Sequence, residues 1–235
     1  MTADEVMAEL KSLGTEQTKK THMRHGAREP LFGVKIEDLK KIHKRVGTNH
    51  QLALDLYATG NSDAMYLAAF LADDEKMTKA DLKKWVKAAY WSWLCDFAVP
   101  WVAAESKHGF ALAREWIGSK TPTTASAGWG TFSSLVSLKP DEELDLDELA
   151  GLLDRVRTTI HDQPDRVRYV MNSFVIAVGS YVRALTDAAV AAGKEIGTVD
   201  VDMGDTACKV PFAPDYIRKA IARGTLTRKR KSARC

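Results

Sequence analysis

Proline is scarce in this chain, with seven in 235 residues, and glycine reaches only fifteen. Few helix breakers and little turn chemistry argue against a strand-and-turn architecture and leave room for long helices. Cysteine is scarcer still. Cys95, Cys208 and Cys235 are odd in number and lack the spacing of a zinc knuckle or a redox pair. They read as reduced thiols, with a Cys208–Cys235 pairing as the one alternative. No apolar run is long enough to cross a bilayer, because the best segment, Tyr169 to Val182, is interrupted by Asn172, Ser173 and Gly179. The opening MTADEVMAEL is acidic and has no apolar core of a secretory signal, so the expected location is cytoplasmic. The six histidines form no HExxH pattern, and no phosphate-cradling or dinucleotide glycine motif occurs. Asp200, Asp202 and Asp205 with Gly204 resemble a calcium loop, but Pro211 stands where a bidentate glutamate would close it. No metal and no cofactor is implied.

What the chain does have is charge unevenly placed. The formal net charge is +3. From Tyr216 onward there are eight basic residues and no acid, and removing those eight from the 34 leaves 26 against 31 acids, a formal −5 for the remainder. A cationic field focused at one end suits polyanions, with a solvated, solubilising tail as the plainer alternative.

Apolar residues recur at helical spacing along most of the chain. Thr2 and Glu5 make a capping-box pattern ahead of Val6, Leu10 and Leu13. Ile36, Leu39, Ile42 and Val46 form an apolar stripe with Lys40, Lys41, Lys44 and Arg45 around its solvated side. Thr78 with Asp81 predicts a helix start before Leu82, Trp85, Val86 and Ala89, and Leu146 through Ile160 predicts a long amphipathic helix ending before Pro164. Residues 166–178 and 181–196 read as two helices broken at Gly179, and only 199–211 reads as extended, short enough for a loop or small hairpin. Successive helices with short turns leave two all-α architectures, a bundle or a stack of helical pairs of about 40 residues each. The stack is favoured: a HEAT-like superhelical domain over residues 1–212, with 213–235 as a C-terminal helix and basic tail packed on or beside it. Its concave groove would be lined by the second helix of each pair and would suit a rod-shaped ligand such as duplex DNA.

The segment RHGAREPLFGVKIEDLKKIHKR, 24–45, resembles the DNA alkylation repair glycosylases of the AlkD type, as do YWSWLCDFAVP, 90–100, and RVRYVMNSFVIAVGSY, 166–181. The basic ending after CKVPFAPDYIRK is similar to one branch of that family. The resemblance implies a HEAT-like superhelix that grips duplex DNA and excises cationic N3- or N7-alkylated purines. Such a base leaves neutral and needs no general acid, so the task left to the protein is to stabilise an oxocarbenium-like sugar with a carboxylate. An aromatic wall adds cation–π attraction of about 0.5–2 kcal/mol.

On that resemblance Asp96 corresponds to the carboxylate, and Trp93 or Trp91 to the wall. The family sets a tryptophan four residues before the acid; here Ser92 holds that place, and the tryptophans stand three and five residues before Asp96. The plainer reading makes Trp85, Trp93 and Trp101 core aromatics, with Asp96 capping or pairing nearby. The resemblance also implies an arginine on the following repeat, but the matching stretch TPTTASAGWGTFSSLVSL, 121–138, has no charged residue. Its small residues point to close helix packing or close backbone approach.

Two functional readings follow. The first is a DNA-binding protein of the alkylation repair family, with glycosylase hydrolysis of alkylated purines as its enzymatic form. It holds duplex phosphates with Lys40, Lys41, Lys44 and Arg45 and with Arg228, Lys229, Arg230 and Lys231. The second is a non-catalytic HEAT-like scaffold for a protein or a structured RNA. The expected partner is duplex DNA, with RNA as a competing polyanion; no membrane is implied, and the chain is expected to be a monomer.

Overall fold

A computed structural model describes residues 1–203 and 208–234. Among these the chain is helical, with no strand. In order it forms α1 (Ala3–Leu13), α2 (Glu16–Arg24), α3 (Ile36–Val46), α4 (His50–Ala58), α5 (Ser62–Leu71), α6 (Lys79–Ala88) and a π-helical turn, Trp93–Ala98, leading into α7 (Val99–Glu105). There follow α8 (Gly109–Trp116), α9 (Pro122–Leu138), α10 (Leu146–Thr159), α11 (Asp165–Tyr181), α12 (Thr186–Ile196) and α13 (Ala213–Ala222).

Local chemistry sets most helix starts. At Thr2/Glu5 and at Thr78/Asp81 each side chain accepts the other residue's backbone N–H, which satisfies two donors that a helix N-terminus leaves open. Asn49, Asn61 and Asp145 cap α4, α5 and α10 in the simpler way. Helix α11 runs through Gly179 and ends at Tyr181, so the break read at that glycine is absent. The glycine serves packing instead: a Cβ there would lie 2.4 Å from Cδ1 of Ile217 on α13. The extended reading of 199–211 lies partly outside the described residues, and the described part forms no strand.

The helices stack rather than bundle. One row runs α3, α5, α7, α9, α11, α13, each helix packing on the next, while α4, α8 and α12 pack behind α5, α9 and α11. Two consecutive apolar cores result, one centred on Leu67, Trp85 and Trp101, the other on Trp129, Phe132 and Phe174. Small residues in α9 permit the tight central contact, since a Cβ on Gly128 would meet the backbone of Ile117 at 2.5 Å. Among the described residues no single helix is long and apolar enough to cross a membrane.

The segment Phe32-Gly33-Val34 is held by one buried acid. Asp63 of α5 accepts the backbone N–H groups of Phe32, Gly33 and Val34 at 2.6, 3.1 and 2.9 Å. Gly33 has φ +78°, and a Cβ there would lie 2.4 Å from Lys19 N, so no other residue fits without moving α2. His22 of α2 is buried beside this acid, Nδ1 3.9 Å from Asp63 Oδ1.

Beyond α13 the chain turns back and crosses the inner row in reverse order. Thr227 N–H donates to Ser180 O of α11 at 2.8 Å, Arg230 N–H to Ser137 O of α9 at 2.7 Å, and Ala233 N–H to Glu105 Oε1 of α7 at 2.6 Å. Arg234 Nε donates to Ala69 O of α5 at 2.7 Å, and its guanidinium bridges Asp74 and Glu105. Ala233 is buried in the first core. The basic ending is therefore a strap laid along the inner row.

Replacing Asp63 with alanine strands three N–H donors, two of them buried, so Asp63→Ala is expected to cost about 3 kcal/mol in a denaturant titration followed by circular dichroism. Burial pushes the His22 imidazole below its ordinary value of 6.5, against the opposing pull of Asp63. The folded state then binds a proton less readily than the unfolded one, so stability is intact above that value and falls as pH drops from it toward the lowered one. His22→Gln is expected to flatten that part of the stability–pH curve.

Candidate nucleic-acid interface

Asp96 sits in the π-helical turn at the middle of the inner row. Pro100 follows four residues later and has no N–H to give the Asp96 carbonyl, so the regular ladder is interrupted there and the wider turn is accommodated. Gly130 of α9 packs over that carbonyl; a Cβ would lie 2.9 Å from it. The stretch that lacks the implied arginine thus brings α9 against the backbone of the acid.

The cation beside Asp96 comes from α11. Arg166 Nη2 donates to Asp96 Oδ2, and the thiol of Cys95 lies 3.2 Å from Asp96 Oδ1. The Asp96 side chain is only 2% exposed, whereas that of Arg166 is 32% exposed, with its guanidinium carbon 4.5 Å from the centre of the Tyr169 ring. Burial raises the Asp96 carboxyl above the usual carboxylate range, with the charge and hydrogen bond of Arg166 pulling against it. Burial likewise pushes the Cys95 thiol well up, which leaves it a neutral donor rather than a nucleophile. The acid therefore has a partner from its own chain on each oxygen.

The tryptophans of YWSWLCDFAVP point elsewhere. Trp91 is 4% exposed, donates through Nε1 to Ser62 Oγ at 3.0 Å and stacks on Trp93 with ring centres 5.0 Å apart. Trp93 in turn meets His22 and Tyr66. The cavity that Asp96 lines, about 190 Å³, has Phe97, Trp101, Tyr169 and Tyr181 as its aromatics and Ser133, Ser134, Ser137 and Ser173 as its hydroxyls. Trp91 instead lines a separate cavity of about 310 Å³ with Arg24, His25 and Arg166. No group of three or more metal-ligating side chains gathers among the described residues.

The expected cations divide into paired and unpaired. On α3, Lys41 Nζ is 2.7 Å from Asp38 and Arg45 is 2.5 Å from Glu9, whereas Lys40 and Lys44 are exposed and in no ion pair among the described residues. His43 of the same helix stacks on Phe70, 5.7 Å between ring centres, and feels the charge of Arg234, so Lys40 and Lys44 flank the face on which the strap ends. On the strap, Lys229 reaches Asp141 at 2.8 Å and Val136 O at 2.9 Å, while Arg228, Arg230 and Lys231 are exposed with no carboxylate partner among the described residues.

Sequence reasoning passed over Arg166, although it opens one of the quoted motifs, and over Arg234. A signal for the first existed: a buried acid needs a cation or donors, and an uncharged α9 requires that they come from another helix.

Comparison with known proteins agrees with this geometry. The model of the family described as DNA alkylation repair enzyme matches residues 6–212. The Listeria innocua serovar 6a protein Lin0241 and the Listeria monocytogenes serovar 1/2a protein Lmo0209 are each 35% identical over 225 residues, 94% of this chain and 97% of theirs. A solved structure is similar over 100% of both chains, with 37% identity and a TM-score of 0.91; it is described as a new family of proteins related to the HEAT-like repeat DNA glycosylases with affinity for branched DNA structures. With its stacked inner row, its centrally placed acid and this end-to-end similarity, the chain belongs to the DNA alkylation repair family of HEAT-like repeat proteins.

Proposed function

We propose that this protein binds DNA by its phosphates, with a preference for branched forms, and does not hydrolyse the N-glycosidic bond. The observation that carries the reading is the contrast along the inner row. Its cavity-lining acid, Asp96, is buried and neutralised from within, while Lys40, Lys44, Arg228, Arg230 and Lys231 stand exposed with no carboxylate partner among the described residues.

Stabilising an oxocarbenium-like sugar requires a carboxylate free to face it. Asp96 would first have to give up Arg166, and that exchange leaves a buried charge uncompensated. The aromatic wall that would attract a cationic base is absent from the Asp96 cavity in the form of Trp91 or Trp93, both of which are spent on the first core. Phosphate binding needs none of this. It needs unpaired cations and a long face, and it carries no base sequence preference. Preference for branched DNA is inferred from the similar solved structure and its described affinity. A protein scaffold would instead require an apolar groove, but the large hydrophobic residues exposed among the described residues are scattered, with Phe97 and Tyr216 lining different cavities.

If about five phosphates are neutralised on a duplex, log K is expected to fall against log salt with a slope of about −4.5, roughly 500-fold between about 50 and 200 mM. Lys40→Ala with Lys44→Ala should reduce that slope by about 1.8; a flat dependence in the unaltered protein would exclude phosphate-driven binding. In a base-release assay on N-methylpurine duplex no base should be freed above background. Release by the unaltered protein that Asp96→Asn abolishes would restore the glycosylase reading. Arg166→Ala, which leaves the buried Asp96 carboxylate without its cation, is expected to lower unfolding free energy by about 3 kcal/mol, measured by urea denaturation.

A further inference from the structure

We propose that the cavity enclosed by α13, the end of α11 and the strap holds an unpaired DNA strand, with its bases against tyrosine and its phosphates on the surrounding cations. The inference deepens the DNA-binding reading and rests on it. The cavity is large, about 850 Å³, within the roughly 300–1,000 Å³ range in which a small organic molecule is mostly enclosed. Lys219 of α13 and Arg223 just past its end enter it, with Arg228, Arg230 and Lys231 from the strap, and none of the five is in an ion pair among the described residues. Lys229 and Arg234 also reach it, but their charges are met by Asp141 and by Asp74 with Glu105. Among the described residues no acidic side chain lines it.

Cations alone would fit any polyanion. The second observation is aromatic. Tyr216 stands 47% exposed on the cavity wall, with the Lys219 ammonium 4.8 Å from its ring centre, and Tyr181 of α11 also lines the cavity. Stacking platforms interleaved with positive charge are the means by which proteins hold single strands without sequence preference. A duplex gains nothing from such a platform, because its base faces are already stacked on one another. Tyr181 and Arg230 line the Asp96 cavity as well, so the two spaces adjoin. A branched DNA supplies both elements at one place, paired arms for the exposed lysines of α3 and unpaired bases at the junction for the tyrosines.

The strap makes this a built site. It is fastened on both sides of the cavity, by Thr227 to α11, by Arg230 to α9 and by Arg234 to α5 and α7. Arg228, Arg230 and Lys231 are therefore held in place before any ligand arrives, and less ordering is lost on binding.

The test uses the full chain and fluorescence anisotropy with three labelled probes: oligo(dT), a blunt duplex and a fork with unpaired arms. Tyr216→Ala is expected to weaken oligo(dT) and fork binding about tenfold, the fold-change of one lost base stack, and to leave the duplex within about twofold. Arg223→Ala with Arg228→Ala should reduce the oligo(dT) salt slope by about 1.4. Binding of 2-aminopurine oligonucleotide should quench its fluorescence in the unaltered protein and not in Tyr216→Ala, which separates stacking from a general loss of fold. Equal losses on duplex and fork, an unchanged oligo(dT) affinity, or equal competition by polyglutamate would overturn the assignment. A preference for oligo(rU) over oligo(dT) would overturn it in favour of RNA. If the unaltered protein binds the duplex while Tyr216→Ala loses nothing on the fork, only this inference fails; if the unaltered protein binds no DNA at all, the DNA-binding reading fails with it.

Discussion

A carboxylate removed from water has to be met by donors or by charge, and two buried aspartates organise this molecule by being met in different ways. Asp63 is satisfied by three backbone N–H groups, which fixes the entry to α3 and with it the position of the first lysines. Asp96 is satisfied by the arginine of a helix two places further along the inner row, which ties α7 to α11 across α9. The first holds a turn in place; the second adds a tie across helices that already pack on one another.

Much of the fold could be read from residue order, because stacked helices are local objects. The capping boxes at Thr2 and Thr78, the stripe of Ile36, Leu39 and Ile42, and the end of α10 before Pro164 each depend on neighbours within a turn or two. Gly179 misled because a glycine has two uses, to break a helix or to let another approach, and only the distant Ile217 decides between them. The candidate site was less legible for the same reason. Asp96 and Arg166 are 70 positions apart, and nothing in the spacing of either announces the other. The fate of Trp91 and Trp93 also depended on partners far along the chain, Ser62, Tyr66 and His22, that fill the space a ligand would need.

The family resemblance and the local chemistry therefore carry different information. Resemblance places an acid at the centre of the inner row. Chemistry then says what that acid can do in this chain. With α9 uncharged and packed by Gly130 on the acid's own backbone, the arginine arrives from α11 and turns the pair into a structural tie.

Repeat stacks in which each unit touches only its neighbours melt by fraying, one end independent of the other. The strap changes that here. By crossing α11, α9, α7 and α5 in turn and burying Ala233 in the first core, it couples positions more than a hundred residues apart. The two halves of the array are thereby linked into one cooperative unit, and local opening at either end must be transmitted to the other.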